Sequence, residues 1–272
     1  MDIYVISLTN ANARREYIKQ IFGDKNIPFH FFNALRPSKV LDDAIDQLVP
    51  SLKHQSFLSE VEKACFMSHV VLWQRVLDMN LPYVAVFEDD VLLGRDAEKF
   101  LTEDDWLNER ITMDSAFIVR LETLLIPVNI KSSNIPTYQN RQFPLLDSPQ
   151  GGAAGYIISR AAIRFILNDL YNLSAEQIQP IDLMMFGEYL SHKDIVVYQV
   201  SPGICVQELN FSQQQHKDSW LGSQIESQRR QNQIEYRRKY KKRRSLKERL
   251  QRALTKFSRE KKKRAQVIIP FM

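Results

Sequence analysis

Residues 83–90 read Tyr-Val-Ala-Val-Phe-Glu-Asp-Asp, an apolar run that ends in three adjacent carboxylates. The run is short, apolar and preceded by a proline, so it predicts a buried strand. Because side chains alternate along a strand, Glu88 and Asp90 are expected on one side and Asp89 on the other. Carboxylates held this close repel each other, and a Mn²⁺ or Mg²⁺ ion would relieve the repulsion. A solvated acidic turn is the competing interpretation.

The start of the chain predicts a parallel sheet. Residues 2–8 read as a buried strand, residues 13–22 as a helix and residues 29–34 as a second strand. This β-α-β order is typical of α/β proteins, in which helices flank the sheet. Ligands in open α/β sheets bind outside the carboxyl ends of the strands, and the acidic stretch lies at such an end.

Further elements follow from periodicity and capping signals. The longest helix is predicted over residues 58–80, with Ser59 as N-cap and Glu62 completing a capping box. The remaining predictions are strands at 115–121, 153–159 (after a glycine-rich turn) and 195–200, helices at 160–171 and from residue 180, and loops over 122–150.

The composition predicts a folded globular protein. The chain has 272 residues, 44% of them hydrophobic, which is enough for a large α/β domain that needs no disulfides. Its two cysteines, Cys65 and Cys205, are expected to be free thiols in the reducing cytoplasm, because the sequence opens without a secretory signal. No apolar stretch approaches the roughly 18–20 residues of a membrane-spanning helix.

Positive charge is concentrated towards the C-terminal end. Residues 229–264 hold 18 Lys and Arg against 3 Asp and Glu, so the remainder of the chain is acidic. We therefore predict an acidic folded domain over residues 1–222 and a basic tail over residues 223–272. The tail carries one apolar helical stripe, formed by Leu246, Leu250, Leu254 and Phe257. A basic amphipathic helix indicates membrane-surface binding, to which the apolar residues 267–272 are expected to add. An RNA-binding or solvated arm is the alternative.

Several short stretches, taken in order, carry a family resemblance. They are Val5-Ile6-Ser7-Leu8 with Arg14-Arg15, residues 58–69 with Trp73, Phe87-Glu88-Asp89-Asp90-Val91, residues 152–159, Pro180-Ile181-Asp182 and Gln207. Together they resemble glycosyltransferase family 25, the lipooligosaccharide and lipopolysaccharide galactosyltransferases of Gram-negative bacteria. Two departures occur: Ala64 stands where the family has glycine, and the spacer of residues 61–63 is longer than usual.

The resemblance implies a fold, an activity and partners. The fold is a GT-A-like nucleotide-sugar-binding sheet flanked by helices. The implied reaction is an inverting, metal-dependent transfer of a hexose, usually galactose from UDP-galactose, onto a lipooligosaccharide acceptor at the cytoplasmic face of the inner membrane. Alternatives are a UDP-glucose or UDP-N-acetylhexosamine donor, or a nucleic-acid-binding protein that acts through its basic tail; the acidic body makes nucleic acid the less favoured partner.

Roles follow for individual residues. Glu88, Asp90 and Gln207 are expected to hold the Mn²⁺ or Mg²⁺ ion, with Asp90 the first choice for direct contact. Asp182 is the expected catalytic base, with Glu188 in reserve; Asp182 could instead satisfy free N–H groups at a helix start. The expected donor-binding residues are Ser7, Leu8, Asn10, Arg14, Ser68, His69, Glu88 and Asp89, and Gly155 and Tyr156 are expected at the acceptor. A hydrogen-bonded core residue is the competing interpretation of His69.

Overall fold

The apolar run of residues 83–88 is a strand inside an eight-stranded sheet. The computed structural model describes residues 1–221, 260 and 264–272. The strands of this sheet, in spatial order, are β2 (His30–Asn33), β1 (Ile3–Ser7), β3 (Tyr83–Glu88), β10 (Gly155–Ser159), β5 (Phe117–Arg120), β11 (Val196–Gln199), β9 (Leu145–Leu146) and β8 (Ile130–Lys131). β1 pairs in parallel with both β2 and β3, which confirms the predicted β-α-β opening. β10 runs antiparallel to β3, so the sheet is mixed.

Helices cover both faces of the sheet. They are α1 (Asn12–Gly23), α2 (Lys39–Leu48), α3 (Glu60–Asp78), α4 (Ala97–Leu101), α5 (Asp105–Asn108), α6 (Arg160–Asn172), α7 (Ile181–Leu183) and α8 (Glu208–Gln214). Alternate residues of β3 supply the two cores. Val84 and Val86 pack towards α2, α3 and α6, whereas Ala85 and Phe87 pack towards α1, α4 and α5. β3 is thus buried on both sides, as its uninterrupted apolar sequence predicts. The α/β class is confirmed.

The local signals place most elements correctly. The capping box at the start of α3 is present: Glu62 N donates to Ser59 Oγ at 3.2 Å, and Ser59 N donates to Glu62 Oε2 at 2.9 Å. Both cysteines are free thiols. None of the helices in the described residues is long and apolar enough to cross a membrane.

Two regions differ from the sequence-based expectation. The predicted loop region contains short strands, β6 (Glu122–Thr123) and β7 (Pro127–Val128) together with β8 and β9. Strand β6 joins β12 (Cys205–Gln207) and β4 (Val91–Leu93) in a second, three-stranded sheet. Strands of two or three residues leave too little alternation to be recognised from sequence. α2, capped by Ser38, was not predicted.

The last residues of the chain pack on the folded body. β13 (Val267–Ile268) pairs antiparallel with β7, and Thr123 Oγ1 donates to the Ile269 carbonyl at 2.6 Å. Ile269 is buried, and Gly203 N donates to the Pro270 carbonyl at 2.7 Å. Residues 267–272 therefore belong to the body, which corrects the prediction that they extend the membrane-binding tail. The boundary at 222 and the predicted apolar stripe at 246–257 lie outside the described residues.

Gly155 allows the two sheets to approach each other. A Cβ at this position would overlap the Sγ atom of Cys205 in β12 and lie 3.2 Å from the Phe87 ring. Because Gly155 has no side chain, the three-stranded sheet can pack against the centre of the eight-stranded sheet.

We expect Gly155→Ala to lower the free energy of unfolding by about 1–3 kcal/mol, the usual cost of overpacking a core. Adding Cys205→Ala should recover part of this loss, because the overlapping sulfur is removed. Chemical denaturation of both single mutants and the double mutant measures the coupling. Strictly additive losses would show that the two side chains do not compete for this space.

Candidate active site

The three carboxylates at the end of β3 have different surroundings, and Asp89 is the one paired with a cation. Arg14 Nη1 donates to Asp89 Oδ1 at 2.7 Å, and Ser7 Oγ donates to Asp89 Oδ2 at 2.7 Å. The arginine comes from α1 and the serine from the end of β1. Asp89 thus ties the acidic turn to the first β-α unit, as the predicted alternation of side chains requires. Burial lowers the pKa of Arg14, but Asp89, Asp90 and Glu88 outweigh it, so the net shift is upward.

Glu88 points to the other side of the strand. Gln207 Nε2, at the end of β12, donates to Glu88 Oε2 at 3.3 Å. His69 Nε2 lies 3.5 Å from Glu88 Oε1. The His69 side chain is fully buried on α3, and this burial lowers its pKa to about 4, so the ring is neutral near pH 7.

Asp90 is buried with a carboxylate oxygen left over. Its Oδ1 atom has no hydrogen-bond partner within the part of the chain that the structure describes. Burial, followed by the charge of Glu88, raises the pKa of Asp90 to about 7, against the opposing effects of the Arg14 charge and of a hydrogen bond from Gln207. A divalent cation would supply the missing partner and further positive charge. The Asp90 and Glu88 carboxylates suit a hard cation, whereas Gln207 directs its Nε2 to Glu88 and its Oε1 accepts from Asn210 Nδ2 at 3.2 Å. The predicted metal site stays a prediction.

A second set of charged residues surrounds the glycine-rich loop of residues 151–154. Arg120 Nη2 donates to the Gly151 carbonyl at 2.5 Å. Glu122 Oε2 accepts from Ala154 N at 3.0 Å, and Asp182 Oδ2 accepts from Gly152 N at 2.9 Å. The loop is thereby held from three sides, and all three side chains are buried.

This loop is coupled to the acidic turn through the backbone. Ala154, which donates to Glu122, accepts a hydrogen bond from Glu88 N at 3.0 Å. Gly152 adopts a φ of 79°, and a Cβ there would lie 2.9 Å from the Glu122 carboxylate oxygens. Burial raises the pKa of Glu122 to about 8, against the effect of Arg120, whose Nη2 lies 3.6 Å away.

The predicted base, Asp182, lies close to the site. Besides Gly152 N, its carboxylate accepts from Leu183 N at 3.0 Å, which matches the alternative reading of a helix-start carboxylate. A carboxylate has about four lone-pair positions, so two backbone donors do not exhaust it. The reserve candidate, Glu188, is exposed at the end of the π-helical turn Met184–Glu188.

Other predicted residues occupy different surroundings. Tyr156 is fully buried and bonded to His69 and Trp73, and Gly155 is buried against Cys205, so both are surrounded by the core. Ser68 is also fully buried, donates to the Ala64 carbonyl and accepts from Leu35 N. The acceptor role of Gly155 and Tyr156 and the donor role of Ser68 stay predictions, which these internal partners do not favour.

The turn after β1 keeps its predicted candidates near the acidic motif. The Leu8 carbonyl accepts from Arg15 Nε at 3.0 Å, and Asn10 is exposed at the turn. Both remain predicted donor-binding residues.

Sequence reasoning missed four residues at this site. Arg120 and Glu122 lie on β5 and β6, where no motif marked them. Glu208 is fully buried and accepts from Ser212, Ser219 and the backbone N–H groups of Trp220 and Leu221. Cys65, one helical turn before His69, has its sulfur within 4.8 Å of the His69 and Glu88 ligand atoms. Only Cys65 had a usable signal, the i, i+4 spacing to His69.

The start of the basic segment is tied to the same site. Arg14, which holds Asp89, also donates through Nη2 to the Leu221 carbonyl at 3.0 Å. The exposed Trp220 ring packs edge-on against Tyr17 at 6.4 Å between centroids. Trp220 and Leu221 therefore lie beside the acidic turn.

Comparison with known proteins identifies the family. The family model for "Glycosyltransferase family 25 (LPS biosynthesis protein)" matches residues 1–185, a range that contains the acidic turn, the glycine loop and Asp182. The chain belongs to glycosyltransferase family 25.

Similar proteins point the same way. A lacto-N-neotetraose biosynthesis glycosyltransferase, LgtE of Neisseria meningitidis serogroup B, is 53% identical, over 97% of this chain and 92% of its own. LgtB of the same organism, described in the same words, is 50% identical over the whole of both chains. The lipooligosaccharide biosynthesis protein lic2B of Haemophilus influenzae is 47% identical over 83% of this chain and 82% of its own. The family 25 member described here is accordingly a glycosyltransferase of lipooligosaccharide biosynthesis.

Proposed function

We propose that this enzyme is an inverting, Mn²⁺- or Mg²⁺-dependent transferase that moves galactose from UDP-galactose onto a lipooligosaccharide sugar in β-linkage. The observation that carries the cation dependence is the buried Asp90, whose Oδ1 has no partner among the described residues. Asp90 and Glu88 would hold the cation, and Gln207 would join them through Oε1 after its side-chain amide turns over. When bound, it would neutralise the charge that develops on the departing diphosphate.

The chain's own residues supply the remaining steps. Arg14 and Ser7 fix Asp89, so the acidic turn keeps its shape when the donor enters. Asp182 takes the proton of the acceptor hydroxyl, and the bond from Gly152 N keeps its carboxylate beside the glycine loop. Deprotonation of the acceptor oxygen as it attacks the sugar carbon is the task of a general base.

The donor sugar is the least constrained part of the proposal. UDP-galactose is supported by the resemblance of the sequence motifs, and UDP-glucose and UDP-N-acetylhexosamines are the competing donors. A screen of labelled UDP-sugars against lacto-series acceptor fragments, with and without Mn²⁺, selects among them. Turnover independent of added metal, after chelation, would contradict the cation dependence.

Asp90→Asn tests the cation site. The substitution is near-isosteric but removes the charge, so we expect Mn²⁺ affinity and metal-dependent turnover to fall by at least about 10², in line with loss of a direct metal ligand. Isothermal titration with Mn²⁺ and initial rates measure both effects. Asp114→Asn, at a carboxylate in the turn before β5, is the matched control. Unchanged Mn²⁺ affinity in Asp90→Asn would refute the assignment.

Asp182→Asn tests whether Asp182 acts as the catalytic base or only stabilises the glycine loop. A lost general base should lower the rate of transfer by roughly 10²–10⁴ and leave the donor affinity nearly unchanged. The asparagine oxygen can still accept from Gly152 N, whereas the bond from Leu183 N is lost, so the unfolding temperature should fall only slightly. A weakened donor affinity together with a large fall in the unfolding temperature would instead assign Asp182 to the fold of the glycine loop.

The basic segment is proposed to bind the anionic surface of the inner membrane. Because residues 267–272 pack on the body, the test must keep the chain length: Lys and Arg within residues 229–259 are replaced by Gln, and residues 264–272 stay unchanged. Each Lys or Arg near an anionic surface contributes about 1 kcal/mol, so binding to anionic vesicles should be lost while transfer to a short soluble acceptor persists.

Co-sedimentation with anionic and neutral vesicles measures this binding at two salt concentrations. Binding by the unaltered chain should weaken as salt rises, because exposed charges are screened. Equal sedimentation of both proteins would contradict the membrane role, and binding of RNA in place of lipid would replace it with the nucleic-acid interpretation.

A further inference from the structure

One buried histidine has ring nitrogens that face two different polar groups. His69 Nδ1 lies 2.7 Å from the Tyr156 hydroxyl oxygen, and Nε2 lies 3.5 Å from Glu88 Oε1. The His69 and Tyr156 rings stack with a centroid separation of 5.8 Å. Both side chains are fully buried, so water does not offer them alternative partners.

The position of the ring proton follows from the donors nearby. Trp73 Nε1 lies 3.0 Å from the Tyr156 oxygen, and an indole N–H can only donate. The Tyr156 oxygen therefore accepts from Trp73. Its own proton also needs an acceptor, and among the described residues His69 Nδ1 is the acceptor within hydrogen-bonding distance; a proton on Nδ1 would leave the buried Tyr156 hydroxyl without one. A neutral imidazole that accepts at Nδ1 carries its proton on Nε2. The series Trp73, Tyr156, His69 thus ends in an N–H group that faces Glu88.

The two Glu88 oxygens face different donors. Gln207 Nε2 donates to Oε2 at 3.3 Å. His69 Nε2 faces Oε1 from α3 at 3.5 Å, a contact that falls short of a hydrogen bond, and this buried nitrogen has no hydrogen-bond partner among the described residues. We propose that His69 is a positioning residue that, through the directed bonds from Trp73 and Tyr156, orients the Glu88 carboxylate for the cation and the donor diphosphate. The role of Glu88 as a metal ligand rests on the proposed function, whereas the direction of the hydrogen bonds from Trp73 through Tyr156 to His69 is independent of it.

The same atoms suggest a competing arrangement. The Cys65 sulfur, a His69 ring nitrogen and a Glu88 oxygen lie within 4.8 Å of one another, a combination that suits a thiophilic cation such as Zn²⁺. A metal can bind only a histidine nitrogen that has a free lone pair, whereas the hydrogen bonds from Trp73 and Tyr156 place the proton of His69 on Nε2. A proton on Nε2 therefore favours the positioning role, and an unprotonated Nε2 favours the metal site.

The first experiment reads that nitrogen directly. The full chain, labelled with ¹⁵N-histidine and free of metal and donor, is studied by long-range ¹H–¹⁵N correlation at pH 7.5. The chain has five histidines, so His69→Gln identifies the signal. We expect proton-bearing Nε2 in the unaltered chain and a shift towards the Nδ1-protonated form in Tyr156→Phe. A proton on Nδ1 in the unaltered chain, or a thiolate-to-metal charge-transfer band on adding Co²⁺, would overturn the proposal.

The second experiment replaces His69 with glutamine or asparagine, whose side-chain amides place an N–H at different positions. In His69→Gln the amide nitrogen reaches the position of Nε2, whereas in His69→Asn it reaches only that of Nδ1. Losing a residue that orients a metal ligand typically weakens metal binding 10–100-fold. We therefore expect Mn²⁺ affinity to fall at least about 10-fold in His69→Asn and Tyr156→Phe, and less than about 3-fold in His69→Gln.

Thermal unfolding identifies any variant that fails to fold, and Tyr156→Phe, which keeps the ring, remains informative if His69→Asn does not. Equal Mn²⁺ affinities in the folded Gln and Asn variants would overturn the positioning role. If the unaltered chain bound no Mn²⁺, the proposed function would fail on that result, whereas the nitrogen signals would still decide whether the bonds run from Trp73 to Glu88.

Discussion

The site depends on accommodating three adjacent carboxylates at the end of a buried strand. Hydrogen bonding of β3 between β1 and β10 fixes the backbone, so Glu88, Asp89 and Asp90 cannot move apart. Each charge is handled differently. Asp89 has a full ionic partner in Arg14, and Glu88 accepts from the uncharged Gln207 amide. Asp90 has a buried oxygen without a partner in the described residues. A buried carboxylate is costly to leave uncompensated, and this cost is the reason for proposing a cation at Asp90.

The glycine loop is the second constraint, and it acts on the first through main-chain bonds. Glu122 holds Ala154 N, and the Ala154 carbonyl holds Glu88 N. Arg120 and Asp182 secure the preceding two residues of the loop. Charged side chains with little solvent exposure thus fix both the strand end and the loop opposite it, which gives the fully buried Arg120 and Glu122 a structural role beside the site.

The sequence predicted the parts of this arrangement that are local. Apolar runs, the capping box at Ser59 and the order β-α-β identify elements because each signal lies within a few residues. The acidic turn, Gln207 and Asp182 were recognised through the order of short motifs. Arg120, Glu122 and Glu208 were not, because their importance arises from partners far away in the chain. Tyr156 and Ser68 show the opposite limit: they lie in recognisable motifs, yet the structure gives them partners inside the core. A motif marks a residue without stating whether it contacts a ligand or supports one that does.

The docked C-terminal residues limit how the chain can be shortened. Arg95 N and Arg141 Nη2 both donate to the Met272 carbonyl, at 2.9 and 3.0 Å. Thr123 Oγ1 and Gly203 N donate to the carbonyls of Ile269 and Pro270. A truncation that ends before residue 267 would remove the acceptors of all four donors, and Thr123 and Arg141 are buried. Each unmet buried donor costs about 1–3 kcal/mol. A shortened protein would therefore differ from the full chain in stability as well as in charge, so a change in its activity would not report on the positive charge alone.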